Sequence, residues 1–196
     1  MTSSAYSRKF DEAVALALDA FRPITRKGSG VPYMTHLLSV TALVGEYGGD
    51  EDQLIAAVLH DYIEDIPGAT REALAERFGE RVASLVVELS DCDGAPKPPW
   101  RERKEGYLAH LRVAEADVKL ISCADKLHNA QSIVEDHARL GDAIYARFRG
   151  RKDGTLWYYR SVCDALGEGW ESPLLDRLRK VVDELHRVSG VVHPGR

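Results

Sequence analysis

The sequence predicts an all-α, single-domain bundle, and three observations carry that prediction. Apolar residues recur at helical spacing along most of the chain. Sustained strand-like alternation bounded by hairpin turns is missing, and neither a low-complexity linker nor a composition shift divides the 196 residues. At 44% hydrophobic content a chain of this length can bury one sizeable core. The expected domain spans residues 1–196, with a motif-bearing core at about 20–135 and C-terminal helices over 136–196.

Taken in order, the periodicity places helices at about 5–21 and, after Pro32, at about 33–47. The third helix, at about 51–65, has the clearest pattern, because Leu54, Ile55, Val58, Leu59, Tyr62, Ile63 and Ile66 share one face and Pro67-Gly68 then stops it. Further helices are expected at about 70–77, 79–90, 101–113, 116–135, 153–166 and 172–189. Two connections stand out: residues 23–31, and residues 90–100, where Gly94, Pro96, Pro98 and Pro99 impose irregular backbone.

A net charge of -5 argues against general nucleic-acid binding, which needs a basic face, and leaves room for a small basic pocket. Met1-Thr2-Ser3-Ser4-Ala5 lacks the basic start and apolar core of a signal peptide, and no apolar run approaches a membrane span. A cytoplasmic protein with no membrane partner is expected. Cys92, Cys123 and Cys163 are odd in number and widely spaced, without a Cys-x-x-Cys pair, and read as reduced core thiols.

The chemistry centres on His60-Asp61, with His36 upstream and Asp125 downstream: four side chains that could hold one divalent metal. Imidazole nitrogens with carboxylate oxygens suit a first-row ion such as Mn or Fe, and four protein ligands leave octahedral positions open for water and substrate. That points to a metal-dependent hydrolase. A continuous helix over 51–65 would stack His60 with Glu64 and Asp61 with Asp65, four residues apart. It would also set Asp61, Glu64 and Asp65 in closing turns, where the macrodipole disfavours anions by up to about 1 kcal/mol each. A nearby cation would remove the conflict; a solvated acidic helix end is the alternative. Asp125 lies among apolar neighbours and fits a metal ligand, a buried partner of Lys126 or an exposed helix position. His36, in an apolar stretch, reads by itself as a core histidine.

Arg26-Lys27-Gly28-Ser29-Gly30 is basic and glycine-rich and could present two cations and backbone N–H groups to a phosphate, although it is not a Walker A loop. Its alternative is a flexible surface turn. Asn129, one helical turn after Asp125, shares that face and could hydrogen-bond a ribose or phosphate, or simply be an exposed helix asparagine. Lys97, Arg101, Arg103 and Lys104 form a basic segment and Trp157-Tyr158-Tyr159 an aromatic patch, patterns that also suit a solvated face and core packing.

Together, Arg26-Lys27-Gly28-Ser29-Gly30 with Pro32-Tyr33 and Thr35-His36, then His60-Asp61 with Glu64-Asp65, then Asp125-Lys126-Leu127-His128-Asn129, resemble the HD-superfamily hydrolase domain of RelA/SpoT homologues, in the form of a stand-alone small alarmone hydrolase. The resemblance implies a helical HD fold with one Mn ion bound through His36, His60, Asp61 and Asp125. It implies hydrolysis of the ribose 3′-pyrophosphate of (p)ppGpp to GDP or GTP and pyrophosphate. Glu64 and Asp65 match the family's catalytic acidic pair. Arg26, Lys27, Ser29 and Asn129 match nucleotide-binding positions, and Lys104 and Tyr158 match two more. Val31 stands where the family often has Glu, and Tyr62 where a small aliphatic residue is more usual; neither removes a required group. Two other readings stay open: an HD phosphohydrolase for a nucleoside monophosphate, a cyclic nucleotide or the 2′-phosphate of NADPH, and a non-catalytic alarmone sensor. The partner expected is a small nucleotide, and homo-oligomerisation is left open.

Overall fold

The structure, a computed structural model, describes residues 6–90 and 98–191. Among them the regular structure is helical, with a single antiparallel bridge between Thr25 and Pro32. The chain divides into two compact units, Met1–Ala95 and Pro96–Arg196.

The first unit holds α1 (Arg8–Ala20), α2 (Met34–Glu46), α3 (Glu51–Val58), α4 (Tyr62–Asp65), α5 (Arg71–Phe78) and α6 (Glu80–Leu89). The short helix α3 is its hub, packed by α1, α2 and α6. Ile55, Ala56, Ala57 and Val58 are all fully buried, and the two alanines let neighbouring backbones approach closely. A capping box starts α3: Asp50 accepts from the Gln53 N–H at 3.0 Å, and the Gln53 side chain accepts from the Asp50 N–H at 2.8 Å. Arg81 of α6 reaches Asp50 and Asp52 at 2.8 and 3.1 Å, tying the two helices at that end. The turn before the box needs glycine at residue 49, where a Cβ would lie 2.4 Å from Val44 Cγ1.

The second unit holds α7 (Trp100–Val113), α8 (Ala116–Leu140), a 3₁₀ helix (Gly141–Arg147), α9 (Arg151–Gly167) and α10 (Pro173–Val188). Helix α8 packs against α9, α10 and the 3₁₀ helix, and α7 packs against α9. The α7–α9 contact is close because Trp100 sits over two glycines; a Cβ on Gly150 would come 2.6 Å from its ring, and one on Gly154 3.1 Å. Ser172 caps α10, with Pro173 in its first turn. Lys119 is buried and donates from Nζ to the carbonyls of Arg112 (3.1 Å) and Glu168 (2.5 Å), so one cation serves the C-terminal ends of α7 and α9.

Two sequence expectations are corrected. The helix expected over 51–65 is broken at residues 59–61, between α3 and α4. Helix α8 runs to Leu140, beyond the expected end near 135, before Gly141, at φ 57°, passes the chain into the unanticipated 3₁₀ turn. Part of the irregular segment over 90–100, with Cys92 and Lys97, lies outside the described residues. Cys123 and Cys163 are free and buried, and burial pushes both thiols up, Cys163 to about 12, which keeps them unreactive. No helix among the described residues is long and apolar enough to cross a membrane.

Lys119→Met keeps the apolar stem and removes the donor to two helix-end carbonyls. It is expected to cost about 1–3 kcal/mol, read from urea unfolding.

Candidate active site

The break between α3 and α4 is built by His60. In a continuing helix the Ala57 carbonyl would accept from the Asp61 N–H. Here His60 Nδ1 lies 2.8 Å from that carbonyl, while the backbone tightens: Leu59 N–H is shared between Ile55 O (3.2 Å) and Ala56 O (3.3 Å), and Tyr62 N–H donates to Leu59 O at 2.8 Å. Leu59 and Asp61 adopt φ, ψ of -110°, 8° and -97°, 5°, and α4 starts after Asp61. Glu64 and Asp65 therefore belong to a separate one-turn helix and not to the closing turns of a long one, so the expected clash with a long helix's macrodipole does not arise. Within this turn Asp65 N–H donates to Asp61 O at 2.9 Å, so Glu64 and Asp65 follow Asp61 by one helical turn. Glu64 is half-buried and Asp65 exposed.

His36, His60 and Asp61 converge within the first unit. His36, from the first turn of α2, is 1% exposed and His60 3%. Their rings meet edge to face, with centroids 5.2 Å apart. Asp61 Oδ2 lies 3.0 Å from His60 Nε2 and 4.0 Å from His36 Nε2.

This arrangement fits a cation. Because a carbonyl only accepts, the short contact to Ala57 assigns the ring proton of neutral His60 to Nδ1, and Nε2 then carries a lone pair. Asp61 Oδ2 carries lone pairs as well. Two such atoms 3.0 Å apart are held together either by a second ring proton or by a positive ion that both of them face. The carbonyl bond to the far ring nitrogen is also the usual outer support of a metal-bound histidine.

The glycine-rich loop is a closed hairpin. Arg26 N–H donates to Val31 O (2.8 Å) and Tyr33 N–H to Ile24 O (2.9 Å), on either side of the Thr25–Pro32 bridge. Gly28 and Gly30 take φ of 75° and 71°, which L-residues rarely adopt. Ser29 braces the turn: its N–H donates to Arg26 O at 3.2 Å, and its hydroxyl accepts from Val31 N–H at 3.3 Å. Arg26 is half-buried, while Lys27 and Ser29 are exposed.

In the second unit, Asp125 and Asn129 of α8, Lys104 of α7 and Tyr158 of α9 form one cluster, joined by Lys126 and Tyr107. Asp125, 7% exposed, accepts from Lys126 Nζ on Oδ2 and from Asn129 Nδ2 on Oδ1, both at 2.5 Å. Burial pulls the Lys126 ammonium down, but the charge of Asp125, then Tyr158 and Tyr107, outweigh it and hold the group well above the usual lysine value. Its Nζ stands 5.2 Å from the centre of the Tyr107 ring, and Lys104 Nζ stands 4.9 Å from that of Tyr158. Burial pushes the Tyr158 phenol far up, and its hydroxyl has no hydrogen-bond partner among the described residues. Tyr107, whose hydroxyl pairs with Ser122 at 2.8 Å, went unnoticed in the sequence, as did the part played by Tyr33, whose hydroxyl donates to Asp61 Oδ2 at 2.5 Å. Tyr33 is visible only as half of Pro32-Tyr33, and Tyr107 has no local signal.

A helical fold with two buried histidines beside an aspartate at a helix break defines a class, and residues 13–156 match the family model of the HD domain. The chain belongs to the HD-domain family. It is 36% identical over 132 residues to the bifunctional (p)ppGpp synthase/hydrolase SpoT of Escherichia coli, a match covering 64% of this chain and 18% of that protein. It is 33% identical over 156 residues to a GTP pyrophosphokinase of Myxococcus xanthus, covering 76% of this chain and 20% of that one. The chain thus spans about a fifth of the length of these relatives. Among solved structures it is similar to a metazoan ortholog of SpoT that hydrolyses ppGpp, with a TM-score of 0.76 and 26% identity over 97% of this chain and 100% of that one. A protein of Listeria monocytogenes EGD-e gives a TM-score of 0.69 and 26% identity, over 76% of this chain and 96% of that one.

The Lys126–Asp125 pair gives a stability test in the presence of chelator. Asp125→Leu strands a largely enclosed ammonium, 14% exposed, and is expected to cost about 3–5 kcal/mol, and adding Lys126→Met is expected to recover most of the loss. Urea unfolding of the two variants measures both.

Proposed function

We propose that this chain hydrolyses the 3′-pyrophosphate of ppGpp and pppGpp, giving GDP or GTP and pyrophosphate, with a divalent ion held by His36, His60, Asp61 and Asp125. The observation that carries the proposal is the 3.0 Å approach of His60 Nε2 to Asp61 Oδ2, with the His60 proton engaged at Ala57. The names of the relatives support the substrate, and a family model running over residues 13–156 of both units supports reading the chain as one HD-type domain. Nitrogen and oxygen donors together suit Mn among first-row ions. When bound, the ion supplies Lewis acidity to a phosphoryl oxygen and makes water more acidic at neutral pH.

The chain's own residues supply the rest. Glu64 and Asp65, one turn beyond Asp61, orient the attacking water and move its proton. Water adds at the phosphorus on the ribose 3′ oxygen, that P–O bond breaks, and the departing oxygen gains a proton. Arg26 and Lys27 offset pyrophosphate charge or pack against the base, since a guanidinium plane does both. Ser29 holds the turn that carries Arg26 and Lys27 closed for the phosphate. Lys104 meets phosphate charge, and the buried Tyr158 hydroxyl offers a polar atom to the nucleotide. Asn129, which donates from Nδ2 to Asp125, brings its side-chain amide to the ribose or phosphate from the same face of α8. The setting is cytoplasmic, and the partner is the small nucleotide.

The test is release of pyrophosphate and GDP from ppGpp by the purified protein, with Mn and with chelator. Equal release of both products only with metal is expected. Tight ppGpp binding without turnover would favour a sensor, and turnover of another nucleotide alone would move the substrate within the class. Glu64→Gln is expected to keep Mn and lose activity by about 10²–10⁴-fold, whereas His60→Ala loses both.

A further inference from the structure

Tyr33 has no part in the chemistry above, yet within the first unit it touches the loop that carries Arg26 and the histidine–carboxylate centre at once. Its backbone N–H closes the hairpin on Ile24 O at 2.9 Å. Its ring stacks on buried Phe21, with centroids 5.5 Å apart and planes 15° apart, and meets the edge of His36 at 5.4 Å. Its hydroxyl donates to Asp61 Oδ2 at 2.5 Å. Backbone and ring are therefore fixed before the hydroxyl makes its bond, and the phenol is a rigid donor.

Asp61 needs such a partner. It sits at a break in the helix, its side chain is 22% exposed, and the oxygen that faces His60 is the one that receives the phenol. A carboxylate at a turn can rotate about its terminal torsion, whose preferences are broad. A short O–H bond to one oxygen selects a single rotation.

We propose that Tyr33 is a positioning residue that fixes the Asp61 carboxylate in its ligating rotation and links it mechanically to the Arg26–Val31 turn. This rests on the reading of His36, His60 and Asp61 as metal ligands. Tyr33→Phe removes one oxygen atom and leaves ring stacking, backbone bonds and loop in place. Its effect should therefore fall on the ion and on turnover, and should spare nucleotide binding.

The experiment titrates Mn into the full chain as wild type, Tyr33→Phe and His60→Ala, following the free-ion electron paramagnetic resonance signal. It is paired with kcat and KM for ppGpp at saturating Mn and with the melting temperature in chelator. Tyr33→Phe is expected to bind Mn about 10–100-fold more weakly, with lower kcat, unchanged KM and an unchanged melting temperature without metal. Wild-type Mn affinity in Tyr33→Phe, with or without a loss of stability in chelator, overturns the proposal and makes the hydroxyl merely structural. His60→Ala separates the two readings: if it too binds Mn like wild type, the metal reading itself falls, and this inference with it.

Discussion

The bond from His60 Nδ1 to the Ala57 carbonyl is the constraint on which the centre depends. It takes the acceptor that would have carried the helix forward, so α3 stops at Val58 and the chain turns before α4. It fixes the imidazole against a fully buried stretch of backbone and settles which nitrogen keeps its proton. It thereby aims the remaining lone pair at Asp61. A histidine placed one turn earlier or later on a straight helix could offer a ligand, but could not also bend the chain so that the next residue offers a second from beside it.

The structure surrounding that bond is built to stay still. Helix α3 is short, sealed by a capping box at its start and packed on three sides, so the corner sits on a rigid base. The second unit treats Asp125 similarly: Lys126 and Asn129 each take one of its oxygens, and Tyr107 and Tyr158 wall off the ammonium. A buried carboxylate supported from both sides loses little further freedom on meeting a ligand, which is the general advantage of a prearranged site. The cations around Tyr158 also show how a chain of net charge -5 can keep locally positive ground for a phosphate-bearing ligand.

Much of the fold was readable because amphipathic periodicity reports burial, and burial is what decides most helices. The expected spans near 33–47, 70–77, 79–90, 101–113 and 172–189 lie within a residue or two of α2, α5, α6, α7 and α10. The break after Val58 was not readable, because Leu59, Tyr62, Ile63 and Ile66 keep the helical rhythm while a side chain bonds the main chain beneath them. Hydrophobic pattern records which face is buried and is silent about such a bond. Local rules tend to fail at sites of this kind. The residue types of the site were legible as motifs: His36, His60 and Asp61 are drawn together by the fold, and so are Lys104, Asp125, Asn129 and Tyr158. Partnerships such as Tyr33 with Asp61 were not legible, since 28 residues separate the pair and nothing local to either names the other.

The central claim is that a divalent ion belongs between His60 and Asp61. Crystals soaked in Mn and measured with X-rays on either side of the Mn absorption edge address it directly. The account predicts an anomalous peak within coordination distance of His60 Nε2 and an Asp61 carboxylate oxygen. Absence of that peak, with His60 doubly protonated and bonded straight to Asp61, would contradict it.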